Sequence, residues 1–159
     1  MKRQVRMLFA AVLILVMFTA CGEDPELAHF RRSIDNFCTK VSEIDTSINS
    51  IDAQSDDAAS ELLSYLDELD SVFQSFADLD FPEEFNYLEE LADESSEYMT
   101  EAVSNYHTAF GNDAYDQYAA EYARQNYSRA YKRVQIIITF LHGEEPEDAD
   151  LKIEYESEQ

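Results

Sequence analysis

The amino-acid sequence predicts an all-α fold: an up-down-up-down antiparallel four-helix bundle followed by a disordered acidic tail. Three observations predict it. Apolar residues recur at alternating spacings of three and four through four long segments, the periodicity of one face of an α-helix. The glycines, Gly22, Gly111 and Gly143, and the prolines, Pro25, Pro82 and Pro146, all fall at segment ends, so the stretches between them hold no breaker. The connections are short, and short turns between long amphipathic helices force antiparallel neighbours.

The first helix starts at Asp24-Pro25-Glu26, a capping residue, a first-turn proline and a first-turn acid in the order a helix start requires. Its seam runs through Leu27, Phe30, Ile34, Phe37, Val41, Ile44, Ile48 and Ile51, at spacings 3-4-3-4-3-4-3. After the polar turn Asp52-Ala53-Gln54, Ser55 is expected to cap a second helix with the seam Ala59, Leu62, Leu66, Leu69, Phe73 and Phe76. Asp80-Phe81-Pro82 closes it and opens a third, which carries Phe85, Leu88, Ala92, Ser95, Met99, Ala102, Tyr106 and Ala109 on one face. Gly111 stops that helix. Asp113 is expected to cap the fourth, whose seam is Ala120, Ala123, Tyr127, Ala130, Val134, Ile137 and Leu141, with Gly143 at its end. Each helix is about 22 to 30 residues, or about 33 to 45 Å, long. The many small residues in the third and fourth seams predict a close approach of those two helices.

The start of the chain carries a different pattern. Three bases, Lys2, Arg3 and Arg6, precede an unbroken apolar run from Met7 to Phe18, and the small pair Thr19-Ala20 follows. That is the order of a secretory signal. The run of 12 residues is short of the roughly 20 needed to span a bilayer as a helix. Phe18-Thr19-Ala20-Cys21 resembles the bacterial lipobox, which implies that the Cys21 thiol receives a diacylglyceryl group and that Cys21 becomes the first residue of the mature chain. A second acyl chain makes such an anchor firm, because one chain alone binds membranes with an association constant only on the order of 10⁴ M⁻¹. The expected organisation is a cleaved leader over 1–20, a lipidated cysteine and linker over 21–24, the bundle over 25–143 and the acidic tail over 144–159. Leu151, Ile153 and Tyr155 alternate in that tail as a short docking strand would.

With its lipobox, FPEEF ahead of the third helix and YSRAYKRVQ in the fourth, the chain resembles small uncharacterised helical lipoproteins of Gram-positive bacteria over residues 21–150. The resemblance implies a lipid-anchored bundle on the extracytoplasmic face of the cell membrane. It brings no catalytic residues.

Cleavage before Cys21 leaves 139 of the 159 residues, enough for one domain with a core. All 34 acids remain but only 8 of the 11 bases, so the mature net charge is −26. Nucleic acid is a poor partner for such a surface. Between Lys40 and Arg124 lie 83 residues with 22 acids and no Lys or Arg, so the second and third helices are wholly acidic. In an antiparallel bundle the start of the first helix lies beside the end of the fourth. That places Arg31, Arg32, Lys132 and Arg133 as a basic cluster next to the membrane, where anionic headgroups contribute roughly 1 kcal/mol per well-placed base.

Little in the sequence is suited to chemistry. His29, His107 and His142 fall off the seams and are expected to face water. The helical di-metal motif needs a Glu-x-x-His on each of two helices and the sequence holds only one, Glu26 to His29; the EF-hand spacing is absent, and three glycines do not supply a phosphate-cradling loop. Asp56-Asp57 and Asp78-Leu79-Asp80 offer at most weak calcium binding. The expectation is therefore a nonenzymatic protein with no cofactor and no metal. Cys38, at the shoulder of the first seam, reads as a half-hidden inert thiol, with an intermolecular disulfide as the rival. Tyr115, Tyr118 and Tyr122 form an i, i+3, i+7 stripe at the fourth helix. Tyrosines there serve either as amphipathic cover at a core edge or as an interface, and the stripe is the candidate interface under the second reading. The leading functional expectation is a lipid-anchored interaction module that shows an acidic helical surface to a protein or a cationic envelope component. The alternative is a small-ligand or cation-binding lipoprotein with a pocket between the third and fourth helices.

Overall fold

The computed structural model describes residues 24–111 and 114–144. The leader, Cys21, Asp113 and the tail from residue 145 onward lie outside them. The chain is all-helical, with α1 over Pro25–Ser50, α2 over Ala58–Ala77, a 3-10 helix over Glu83–Leu88, α3 over Glu89–Phe110 and α4 over Gln117–Leu141; no strand occurs among the described residues.

α1 begins as expected. The Asp24 carboxylate accepts the Glu26 N–H at 3.0 Å, and Pro25 occupies the first turn, where its missing N–H costs nothing. Phe30, Ile34, Phe37 and Ile44 of its seam are buried, while Leu27, Val41, Ile48 and Ile51 are half-buried.

α2 starts three residues later than its predicted cap. Ser55 Oγ accepts the Asp57 N–H at 3.3 Å and so closes the turn ahead of the helix. Leu66, Leu69, Phe73 and Phe76 form the buried face, and Ala59 is exposed because that face only meets its neighbours from Leu62 onward.

The third segment opens with a 3-10 turn, in which Phe85 donates its N–H to the Pro82 carbonyl at 2.7 Å. Three residues per turn is a common way to start a helix after proline. It lets Phe85 stack on Phe30 at 6.0 Å while Leu88 is buried. α3 then buries Leu91, Ala92, Ser95, Met99, Ala102, Val103 and Ala109. Gly111 ends it, though through space and not through a left-handed backbone. Its φ is −83°, and a Cβ there would stand 2.5 Å from the His107 carbonyl oxygen that the Gly111 N–H approaches.

α4 is capped by Asp116 and not by Asp113. The Asp116 carboxylate accepts the N–H of Tyr118 at 2.9 Å and of Ala119 at 3.1 Å, satisfying two donors of the first turn. At the other end Gly143 takes a φ of 75°, the left-handed conformation in which glycine terminates helices.

Side chains of successive helices meet at several points. Phe37 stacks on Phe76 at 4.2 Å and Phe30 tilts against Phe81 at 4.9 Å. Asp67 meets His107 and Asp70 meets Thr100 between α2 and α3, and Glu94 meets Arg133 and Glu101 meets Asn126 between α3 and α4. The pair α3/α4 makes the most extensive backbone contact, followed by α2/α3 and α1/α2. Ala92, Ser95, Ala102 and Ala109 facing Ala123 and Ala130 allow that approach, in line with the small residues of the two seams.

Candidate functional site

What the fold leaves outside its core is chiefly acid. Glu61, Asp67, Glu68, Asp78 and Asp80 are exposed along or just after α2, and Glu83, Glu84, Glu89, Glu90, Asp93, Glu97 and Glu101 are exposed along the 3-10 helix and α3. Two polar ties hold α2 and α3 together across this surface. His107 Nε2 lies 2.6 Å from Asp67 Oδ1, and Thr100 donates its hydroxyl to Asp70 Oδ1 at 2.7 Å. His29, His107 and His142 are all exposed.

The tyrosine stripe does not form one row. Tyr115, 61% exposed, precedes α4 and packs on Phe110 at 5.3 Å, with Phe110 stacked on Tyr106 in turn. Asp116 starts the helix one residue later, so the helical periodicity that would align Tyr115 with the other two does not reach it. Tyr118 and Tyr122 stand on α4 itself, 89% and 47% exposed. All three are therefore surface residues, as an interface requires, and core-edge cover is left to Tyr127 and Tyr131.

Those two tyrosines enclose a carboxylate. Tyr131 Oη lies 3.1 and 3.3 Å from the two oxygens of Asp45, Tyr127 Oη lies 3.1 Å from Asp45 Oδ1, and the two hydroxyls are 3.1 Å apart. Burial pushes the Asp45 carboxyl above its ordinary range, and the hydrogen bonds from Tyr131 and Tyr127 oppose that shift. Burial likewise pushes both phenols well above theirs, with the neighbouring Asp45 charge acting in the same direction. The cluster joins α1 to α4.

Arg133, expected in a basic cluster with Arg31, Arg32 and Lys132, makes its ion pair across to α3. Its Nε donates to Glu94 on α3, and its guanidinium carbon lies 5.6 Å from the centre of the Tyr98 ring. Arg129 approaches the same ring at 5.6 Å and donates to Asn126 Oδ1 at 3.1 Å. Arg31 and Arg32 are exposed on α1, and Lys132 is half-exposed.

Cys38 is a half-buried free thiol, pushed up chiefly by burial and further by Asp35, which makes it a poor nucleophile. A half-open groove of about 160 Å³ runs between α1 and α2, floored by Phe37, Val72, Phe76 and Leu79 with Lys40 at its rim. The small residues of the α3/α4 seam are instead covered by direct helix-to-helix approach. Among the described residues, no three His, Cys, Asp or Glu side chains converge as a metal site, and no helix is long and apolar enough to cross a membrane.

Sequence reasoning missed Asp45, Asn126 and the Tyr98 stack. Asn126 carried a signal, since it lies three residues after Ala123 and four before Ala130, on the seam itself. Asp45 carried a weaker one: it follows the seam residue Ile44, and a seam tyrosine such as Tyr127 needs a partner for its hydroxyl. Comparison of the chain with protein-family models, with curated protein sequences and with solved structures found no match.

Proposed function

We propose that the chain is a lipid-anchored, nonenzymatic module of the extracytoplasmic membrane face, an up-down-up-down bundle that presents its acidic helices to a protein or a cationic envelope component. Cys21 carries the lipid, and α1 follows it after a linker of a few residues, which keeps the bundle close to the bilayer. Arg31 and Arg32 on α1 attract anionic headgroups, and the acids of α2 and α3 are repelled towards the side away from them.

The observation that supports this reading is the exposed acid along α2, the 3-10 helix and α3, in a stretch with no Lys or Arg to neutralise it. Uncompensated charge of this density is costly within one molecule and favourable towards a cationic partner, whose approach it also accelerates. The interior meanwhile is filled by side chains whose polar atoms are paired: among the described residues no buried side-chain N or O lacks a hydrogen bond.

The test is chemical cross-linking on intact cells, comparing the wild-type chain with a variant carrying Glu89→Gln, Glu90→Gln, Asp93→Asn and Glu97→Gln. Loss of the cross-linked species in the variant, and its weakening by salt, are the expected results. Equal cross-linking by both chains would show that the acidic surface is not the contact.

A further inference from the structure

The rim where α3 meets α4 contains a cation site that the protein fills with its own side chains. The two guanidinium groups of Arg129 and Arg133 lie over the Tyr98 ring, Glu94 accepts from Arg133, and Asn126 links Arg129 to Glu101 by accepting from the first and donating to the second at 3.0 Å. Ring face, guanidinium and carboxylate are the three parts. The ring's negative face attracts the planar cation, and the carboxylate accepts its in-plane N–H groups.

Two to three turns nearer the start of α4 stand two further tyrosine rings with no cation over them. Tyr118, Tyr122, Gln125 and Arg129 follow one another at spacings of four, three and four, so the two tyrosines continue the line on which Arg129 stands. Glu101 is exposed on α3 and accepts from Asn126, which stands one turn after Tyr122 on α4. Among the described residues neither tyrosine side chain makes a hydrogen bond or a ring contact, although Tyr118 is 89% exposed. The nearest base in sequence, Arg124, is turned to Glu121, which it meets at 2.7 and 3.2 Å.

We propose that Tyr118 and Tyr122, together with Glu101, form a docking surface for the arginine side chains of a cationic peptide segment. The inference rests on the proposed function in one respect, that the partner is cationic, and adds which surface meets it and which cation it selects. Arginine is favoured over lysine because its guanidinium is flat, weakly hydrated and able to stack on a phenol ring while donating to a carboxylate. The net charge of −23 draws such a segment in from a distance, and the two rings then give it a place to lie.

The test titrates the full-length chain, in detergent, with fluorescent nona-arginine and nona-lysine peptides at about 0.15 M salt, where the Debye length is about 8 Å. The wild type should bind nona-arginine more tightly than nona-lysine. The double variant Tyr118→Ala, Tyr122→Ala should lose about tenfold in affinity for nona-arginine and little for nona-lysine, as removal of two exposed ring contacts implies. Tyr118→Phe with Tyr122→Phe keeps the rings and should keep the affinity, and unchanged circular dichroism in all variants shows that the helices persist. If the alanine pair binds nona-arginine as the wild type does, the tyrosine surface is wrong while the acidic module stands. If the wild type binds neither peptide, the cationic partner itself is wrong and both ideas fall.

Discussion

Tyr131 places its hydroxyl 3.1 Å from one carboxylate oxygen of Asp45 and 3.3 Å from the other, although 86 positions separate the two residues. The contact ties the last turns of α1 to the middle of α4. Tyr127 adds a second hydroxyl, so the carboxylate is met by two phenols and its burial is offset by hydrogen bonds alone.

The first prediction follows from that contact. Tyr131→Phe removes a donor and leaves a half-buried acceptor short of a partner, which should cost about 1 to 3 kcal/mol in urea unfolding at neutral pH. Tyr118→Phe, whose hydroxyl is in water, should cost close to nothing.

The same site sets a pH dependence. Because burial raises the Asp45 carboxyl in the folded state, the folded chain holds that proton more tightly than the unfolded chain. The group's stabilising contribution is thus complete below the ordinary carboxylate range and is lost as pH climbs through the raised value. Asp45→Asn keeps an acceptor for both phenols and cannot ionise. The difference in melting temperature between variant and wild type should therefore move in the variant's favour from about pH 4 to about pH 7, on either side of the carboxylate range. A difference that holds constant across that interval would mean that burial does not govern Asp45.

Core and surface should respond very differently. Phe37 stacks on Phe76 at 4.2 Å and meets Phe73 edge-on at 5.3 Å, so Phe37→Ala should cost about 3 to 5 kcal/mol by denaturant unfolding. His107→Ala breaks only the exposed pair with Asp67 and should cost less than about 1 kcal/mol. Equal costs would mean that the seam of α1 is misassigned.

The close approach of α3 and α4 is tested by overfilling it. Ala102 is fully buried in that seam, and Ala102→Leu should force the two helices apart at a cost of about 1 to 3 kcal/mol. The same change at exposed Ala59 should be nearly neutral.

These elements were legible in the sequence to different degrees, for physical reasons. The seam of α1 could be read position by position because a single periodicity decides it. The start of α4 could not, since Asp113 and Asp116 are both good caps and only the path of the preceding turn chooses between them. The pairing of Asp45 with Tyr127 and Tyr131 depends on the relative register of the first and last helices, which no local pattern encodes. The position of Arg133 along the chain suggests a basic cluster, while its pairing with Glu94 depends on its direction around the helix, which the sequence order alone does not give. The tyrosines were recognised as a group, and the fold divides them: Tyr115 joins Phe110, Tyr118 and Tyr122 face water, and Tyr127 and Tyr131 hold Asp45.

Lipid attachment at Cys21 is the premise on which the proposed function stands, and metabolic labelling with a tagged fatty acid tests it most directly. The wild-type chain should take up the label and sediment with membranes, while Cys21→Ser should do neither in mature form. Equal labelling of the two chains would contradict the anchor and, with it, the placement of the acidic bundle at the membrane face.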